Sequence, residues 1–141
     1  MNTSFPLLFV SHGAPLFAIE PGQAGPRLAQ LGRELPRPDA IVILSPHWMT
    51  HGEVSVTSST APATLHDFGG FPDALYQLQY PAPGAPVLAA HIVEMLQDAG
   101  WKSRLDARRG LDHGAWVPLL YLAPHADIPV VQVSIDRKSV V

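Results

Sequence analysis

Short apolar runs, separated by polar and proline-rich breaks, recur along the chain and predict strands that alternate with helices. Runs of four to eight apolar or alternating residues are typical of strands, whereas apolar positions three and four apart indicate helices. The predicted strands cover about residues 6–10, 40–44, 52–59, 74–80, 102–105 and 128–135. The predicted helices cover about residues 23–34, 85–99 and 114–122. We therefore expect an α/β layered sandwich whose central sheet is mostly parallel or mixed and is flanked by helices.

The composition limits the class of protein. With 141 residues, of which 47% are hydrophobic and 15% charged, the chain fits one domain over 1–141 with one core. The net charge of -3 does not favour binding to nucleic acid or to an anionic membrane. There is no cysteine, and neither a signal peptide nor a membrane-length apolar run is present. We expect a cytoplasmic protein with neither nucleic acid nor membrane as a partner.

Two histidines follow predicted strands in similar settings. "PLLFVSHG" delivers His12 and "IVILSPHW" delivers His47, each one to three residues past an apolar run. Ligands of open α/β sheets bind at the carboxyl ends of the strands, so the two imidazoles are expected to converge there. Metal ligation is the interpretation we favour, and loop histidines that only form hydrogen bonds are the alternative.

A third histidine, His113, lies in "GLDHGAW" directly before a predicted helix. The positive end of the helix dipole disfavours imidazolium and helps to keep the ring neutral. A neutral ring here suits hydrogen bonding to a substrate oxygen or the transfer of a proton. The neighbouring Asp112 could act instead as the cap of the helix.

A glycine-centred loop, "HDFGGFPDALY", gathers aromatic side chains, among them Phe68, Phe71 and Tyr76. Such a loop could enclose a flat ring. Aromatic residues at this density are, however, more often part of an ordinary core, and that alternative stays open.

Four segments in this order resemble the class III extradiol ring-cleaving dioxygenases: "SHGAP", "SPHW", "HDFGGFPDALYQLQYPAPG" and "GLDHGAWVPLLYLAPHADIPVVQVSI". The similarity is to the 4,5-DOPA dioxygenase branch, which is related to the protocatechuate 4,5-dioxygenase β subunit, and it runs from about Phe5 to Ile135. The resemblance implies an oxidoreductase that uses a non-haem metal and O₂ to cleave a catechol-type ring.

The resemblance also implies roles for individual residues. His12 and His47 would bind the metal, which is expected to be Fe(II), with Zn(II) as the alternative. His113 would be the catalytic residue in the substrate pocket, with Asp112 beside it. Together with the aromatic loop, this makes Asp112, Phe71 and Tyr76 the further substrate-binding residues that we expect. The family's third protein ligand and its other catalytic histidine have no match after Ile135. We therefore expect a truncated catalytic domain whose metal site is incomplete and binds metal weakly, and an inactive fragment of the enzyme is the alternative.

Two other functions fit part of this pattern. A zinc hydrolase could use the same histidines with a metal-bound water. A non-enzymatic binding protein similar to the Memo proteins would share the fold without the chemistry, although the aromatic loop and "LDHG" favour the dioxygenase branch. An incomplete layered domain should also expose a sheet edge, which favours homodimerisation.

Overall fold

The computed structural model describes residues 4–137 and contains one four-stranded sheet with helices packed against it. The strands are β1 (Ile41–Thr50), β2 (Val54–Thr57), β3 (Ser103–Asp106) and β4 (Val130–Asp136). The helices are a short 3₁₀ helix (Pro15–Ala18), α1 (Ala24–Glu34), α2 (Asp73–Gln77), α3 (Pro86–Asp98) and α4 (His113–Leu122). None of the helices among the described residues is long and apolar enough to cross a membrane.

The sheet is mixed, with the strand order β1-β4-β2-β3. β1 runs parallel to β4 and β2 runs parallel to β3, whereas β2 and β4 are antiparallel. This confirms the expected α/β fold with a mixed sheet between helices.

Among the described residues, the core consists of two clusters on opposite sides of the sheet. Successive residues of a strand point to opposite faces. Accordingly, Val130 belongs to the cluster around Trp116 of α4, and Val131 belongs to the cluster that contains Ala89 of α3. Residues 113–119 of α4 are all buried, so this helix is held from every side. Its first residue, His113, is therefore placed by the core itself.

Two predicted strands are wrong. Residues 6–10 form neither helix nor strand, and Leu7 and Phe9 are fully exposed. An apolar run becomes a strand only when a neighbour accepts its backbone hydrogen bonds, and no described strand lies beside this one. Residues 74–80 contain α2 instead of a strand, with Leu75 buried in the core. Over so few residues an alternating pattern does not distinguish a strand from a single helical turn.

β1 is longer than predicted and irregular in its second half. Its pairing with β4 is continuous from Ile41 to Leu44, breaks, and resumes at Met49. Residues 45–48 therefore bulge out of the regular ladder, and a bulge of this kind redirects side chains at the rim of a sheet. His47 lies within this bulge and not in a loop after the strand.

Candidate active site

The structure brings three histidines together from distant parts of the sequence. His12 comes from the segment before the 3₁₀ helix, His47 from the β1 bulge and His113 from the first turn of α4. Each offers one nitrogen atom, and these atoms all lie within 4.8 Å of one another. The ring centroid of His113 lies 4.0 Å from that of His47 and 5.2 Å from that of His12. The predicted convergence of His12 and His47 is present, and His113 joins them.

Close packing between α4 and the β1 bulge supports His47. The main-chain N–H of His47 donates to Ser45 Oγ at 3.2 Å, which holds the bulge in shape. Gly114 packs directly against this pair, because a Cβ built on it would collide with Ser45 Oγ and lie 3.0 Å from His47 Cδ2. The absence of a side chain at Gly114 therefore allows the start of α4 to approach the bulge.

The residues present fit a metal ion. The Nε2 atoms of His12 and His47 lie 3.1 Å apart. Two imidazole ligands at about 2.0–2.1 Å from one ion, at tetrahedral or octahedral angles, are separated by about 3–3.4 Å. A set of imidazoles without thiolate suits iron, zinc, copper or nickel. His12 and His47 therefore have the spacing of two ligands on one ion.

The environment of His12 keeps its ring neutral. Burial lowers the pKa of His12 below 6.5, and the nearby positive charge of protonated His113 or His47 lowers it further. Asp112 and Asp67 oppose this change but do not outweigh it. Only a neutral imidazole can bind metal, so His12 remains able to act as a ligand at a lower pH than a free histidine.

His113 is held by a residue that the sequence prediction did not include, Asp67. One carboxylate oxygen, Oδ1, accepts the main-chain N–H of His113 at 2.9 Å and lies 3.0 Å from its ring Nδ1. Burial alone would raise the pKa of Asp67, but the hydrogen bonds from His113 outweigh it and lower the pKa. Asp67 is therefore a carboxylate near neutral pH.

Phe68 is the aromatic residue of the glycine-centred loop that contacts His113. Its ring stands at 89° to the imidazole, with the centroids 5.7 Å apart. Phe71 and Tyr76, which the sequence analysis placed in the substrate pocket, pack against Phe68 at centroid distances of 5.5 and 5.1 Å. The Tyr76 hydroxyl also donates to the Phe68 carbonyl at 3.3 Å. Phe71 and Tyr76 therefore pack against Phe68 and support its position.

Asp112 is the cap of α4, as the alternative interpretation of this segment predicted. Its side chain is fully buried and accepts the N–H of Ala115 at 3.2 Å and of Gln132 Nε2 at 2.6 Å. Arg109 Nη2 lies 3.3 Å from the same carboxylate. Asp112 therefore connects the start of α4 to β4 by hydrogen bonds to Ala115 and Gln132.

The sequence could have indicated Asp67 and Phe68 only in part. The pair lies in the loop singled out for its aromatic residues, but Asp67 is 46 positions from His113. Nothing in the local pattern shows which polar group it meets.

Comparison with known proteins identifies the family. Residues 7–139 match the family described as the catalytic LigB subunit of aromatic ring-opening dioxygenase. The chain belongs to this family. The matched range contains all three clustered histidines and the Asp67–Phe68 loop.

The chain is also similar to individual proteins. The 4,5-DOPA dioxygenase extradiol of Escherichia coli K12 is 48% identical over 96% of this chain and 49% of its own length. The protein of the same name from Beta vulgaris is 45% identical over 91% of this chain and 49% of its own length. A crystal structure of an uncharacterized protein from Escherichia coli K12 superimposes with a TM-score of 0.64 at 41% identity, covering 83% of this chain and 42% of that one. The chain thus spans about half the length of the relatives it matches.

Proposed function

We propose that this chain acts in the extradiol cleavage of a catechol-type ring by O₂, as the metal- and catechol-binding part of a LigB-type dioxygenase. The observation that carries the proposal is the 3.1 Å approach of the His12 and His47 Nε2 atoms beside His113. Membership of the LigB family and the names of its relatives support the same reaction class.

In this proposal His12 and His47 hold the metal, and the ion is Fe(II). When bound, a redox-active ion of this kind supplies the one-electron chemistry that allows O₂ to react with an organic substrate. Zinc fits the same two nitrogens but has no redox chemistry. The low pKa of His12 keeps one ligand available as the pH falls below neutrality.

His113 is the catalytic residue of the proposal and acts on the catechol. It is 5% exposed and lies beside the metal-binding pair, where its free ring nitrogen can form a hydrogen bond to a substrate hydroxyl. Phe68 supplies an aromatic surface next to it, and Phe71 and Tyr76 hold Phe68 in place. Asp112 contributes to substrate binding indirectly, because it fixes the turn of helix that carries His113.

Oxygen uptake tests the function. The chain is loaded anaerobically with Fe(II), given L-DOPA or protocatechuate, and monitored for O₂ consumption and for the absorbance of a ring-opened semialdehyde. We expect His47→Ala to abolish both signals, because it removes one of the two closely spaced nitrogens. His91→Ala is the matched control, since His91 is an exposed residue of α3 whose recorded contact is with Glu94.

The metal can be tested in the same assay. A Zn(II)-loaded sample should show no uptake, because zinc has no redox chemistry. Uptake that survives His47→Ala, or an iron-loaded chain that binds catechols without consuming O₂, would contradict the proposed activity.

We also propose a homodimer formed through β1. Within the described residues β1 is an edge strand, and Val42, Leu44 and Met49 are exposed on it. An apolar groove of about 1460 Å³ adjoins this strand. A second copy can cover such an edge by two-fold symmetry. Light scattering should show a dimer for the unmodified chain. Leu44→Lys should convert this dimer to a monomer, whereas Val87→Lys, on the exposed face of α3, should leave it intact. A monomeric unmodified chain would refute the proposed dimer.

A cytoplasmic location is part of the proposal as well. The chain contains no cysteine, which is compatible with a reducing compartment. Fractionation of the producing cells tests it, and recovery with the membrane or secreted fraction would contradict it.

A further inference from the structure

We propose that Asp67 is a positioning residue that holds His113 in a single ring orientation and in the tautomer protonated at Nδ1. Its importance for catalysis rests on the proposed function, but the orientation and the tautomer are properties of the chain alone.

One carboxylate oxygen of Asp67 contacts His113 at two places. Asp67 Oδ1 accepts the main-chain N–H of His113 at 2.9 Å and lies 3.0 Å from Nδ1 of the same residue. The backbone and the ring of His113 are thus tied to one point. A rotation of the ring away from this position would break the ring contact while the backbone contact remained.

The contact with Asp67 also decides which ring nitrogen of His113 carries the proton. An ionised carboxylate has no proton to donate, so the ring nitrogen that faces it must carry one. In a neutral imidazole only one nitrogen is protonated, and the hydrogen bond made by one nitrogen decides the state of the other. With Nδ1–H directed at Asp67, the Nε2 atom of neutral His113 has a free lone pair.

Neighbouring side chains pack around the His113 ring. Phe68, next to Asp67 in the chain, stands against His113 at 89°, and His47 contacts the imidazole at a centroid distance of 4.0 Å. The other nearby carboxylate, Asp112, is engaged by Ala115 and Gln132. Asp67 is therefore the carboxylate that faces the His113 ring.

The consequence is chemical. A bare Nε2 accepts a hydrogen bond from a substrate hydroxyl, whereas the other tautomer would donate one. Asp67 would thus present His113 to a catechol as a hydrogen-bond acceptor that can receive the hydroxyl proton. Of the two roles expected for His113 from its sequence context, a hydrogen bond to substrate or the transfer of a proton, this contact favours proton transfer.

The test is a tautomer measurement that needs neither metal nor activity. Long-range ¹H–¹⁵N correlation spectra of the ¹⁵N-histidine-labelled chain, at mildly alkaline pH, identify which nitrogen of each ring is protonated. For His113, assigned with a His113→Gln variant, we expect the proton on Nδ1. In Asp67→Ala the signals should shift to the Nε2–H form or to an average of both forms.

Two further variants guard against an effect on folding. Asp67→Asn has the same shape and keeps an oxygen for the main-chain N–H, but its amide can also donate to Nδ1; we expect a mixture of tautomers in a folded chain. Asp73→Ala, at the start of α2, is the control and should leave the His113 signals unchanged.

The proposal is overturned if His113 of the unmodified chain is protonated at Nε2, or if Asp67→Ala leaves the proton on Nδ1. Failure of the proposed function would be seen differently. The His113 tautomer would remain dependent on Asp67, while oxygen uptake was absent.

Discussion

Gly114→Ala is the change that tests most directly how the fold builds the site. Gly114 is the second residue of α4, where alanine is normally the better helix former. In this position, however, a Cβ would collide with Ser45 Oγ and lie 3.0 Å from His47 Cδ2. The added methyl group must displace the bulge of β1, the start of α4 or both.

The size of the effect follows from these contacts. Ordinary van der Waals contact of a Cβ begins at 3.4 Å, so relief at the His47 ring alone requires a movement of about 0.4 Å. Distances in metal sites tolerate changes of about 0.2 Å. We therefore expect metal affinity to fall at least about tenfold, by analogy with the loss of groups that orient metal ligands. The overpacking should lower the free energy of unfolding by about 1–3 kcal/mol. The higher helix propensity of alanine should offset less than about 1 kcal/mol of this loss.

The assay combines urea unfolding with a competitive titration of Fe(II) or Zn(II) against a chelator. Gly32→Ala is the control for overpacking away from the site, because its Cβ would meet the Leu122 carbonyl at the other end of α4. It should lose stability and keep its metal affinity. Gly69→Ala has no atom within 4 Å of the added Cβ and should change neither quantity measurably.

The reasoning is refuted if Gly114→Ala binds metal as the unmodified chain does. It is also refuted if Gly32→Ala weakens metal binding to the same degree, because the loss would then reflect general instability.

Three further predictions concern the core and the pH dependence. The buried Tyr80 hydroxyl donates to Ala123 O at 2.7 Å, and burial raises the pKa of Tyr80 to about 12. Because Tyr80 ionises at a lower pH in the unfolded chain, its contribution to the free energy of unfolding is complete below about pH 10 and declines toward pH 12. Tyr80→Phe should lower the free energy of unfolding by about 0.5–1.5 kcal/mol at neutral pH and make this decline shallower in urea melts. Parallel pH curves for the two chains would contradict the assignment. Leu75→Ala should lower the free energy of unfolding, measured by thermal melting, by about 2–5 kcal/mol, because Leu75 is fully buried. Leu7→Ala, at a fully exposed position, should change it by no more than about 0.5 kcal/mol. Equal effects of the two substitutions would show that Leu75 is not part of the core. Asp112→Ala should lower the free energy of unfolding by about 2 kcal/mol or more, since it removes the cap of α4 and the acceptor of the buried Gln132 amide. A melting temperature within about 1 °C of that of the unmodified chain would count against this.

Local patterns determined much of the fold. The predicted helices over 23–34, 85–99 and 114–122 overlap α1, α3 and α4. The predicted strands over 40–44, 52–59, 102–105 and 128–135 overlap β1, β2, β3 and β4, because helix and strand periodicities follow from backbone geometry over a few residues. The two motifs that end in His12 and His47 also indicated a common site. Their order along the chain and the "LDHG" segment were enough to suggest the dioxygenase family.

The two incorrect strand predictions fall where the local sequence pattern and the tertiary contacts favour different structures. Residues 6–10 have the composition of a strand but no described strand beside them, so their backbone groups are not paired in a sheet. Residues 74–80 alternate like a strand, yet α2 forms over Asp73–Gln77 and buries Leu75 in the core. In both places the outcome depends on which neighbour is available, and that information is absent from a short window of sequence.

The sequence by itself determined the residue types of the site and the short segments that carry them, because each histidine motif is a local feature, and the order of these motifs indicated the family. Only the tertiary structure decided which groups surround His113. The contact with Asp67 spans 46 positions, and the approach of Gly114 to Ser45 depends on how α4 packs against β1. Hydrogen bonds and steric contacts act over a few ångströms in space, irrespective of distance along the chain, and the folded packing alone brings these atoms within that range.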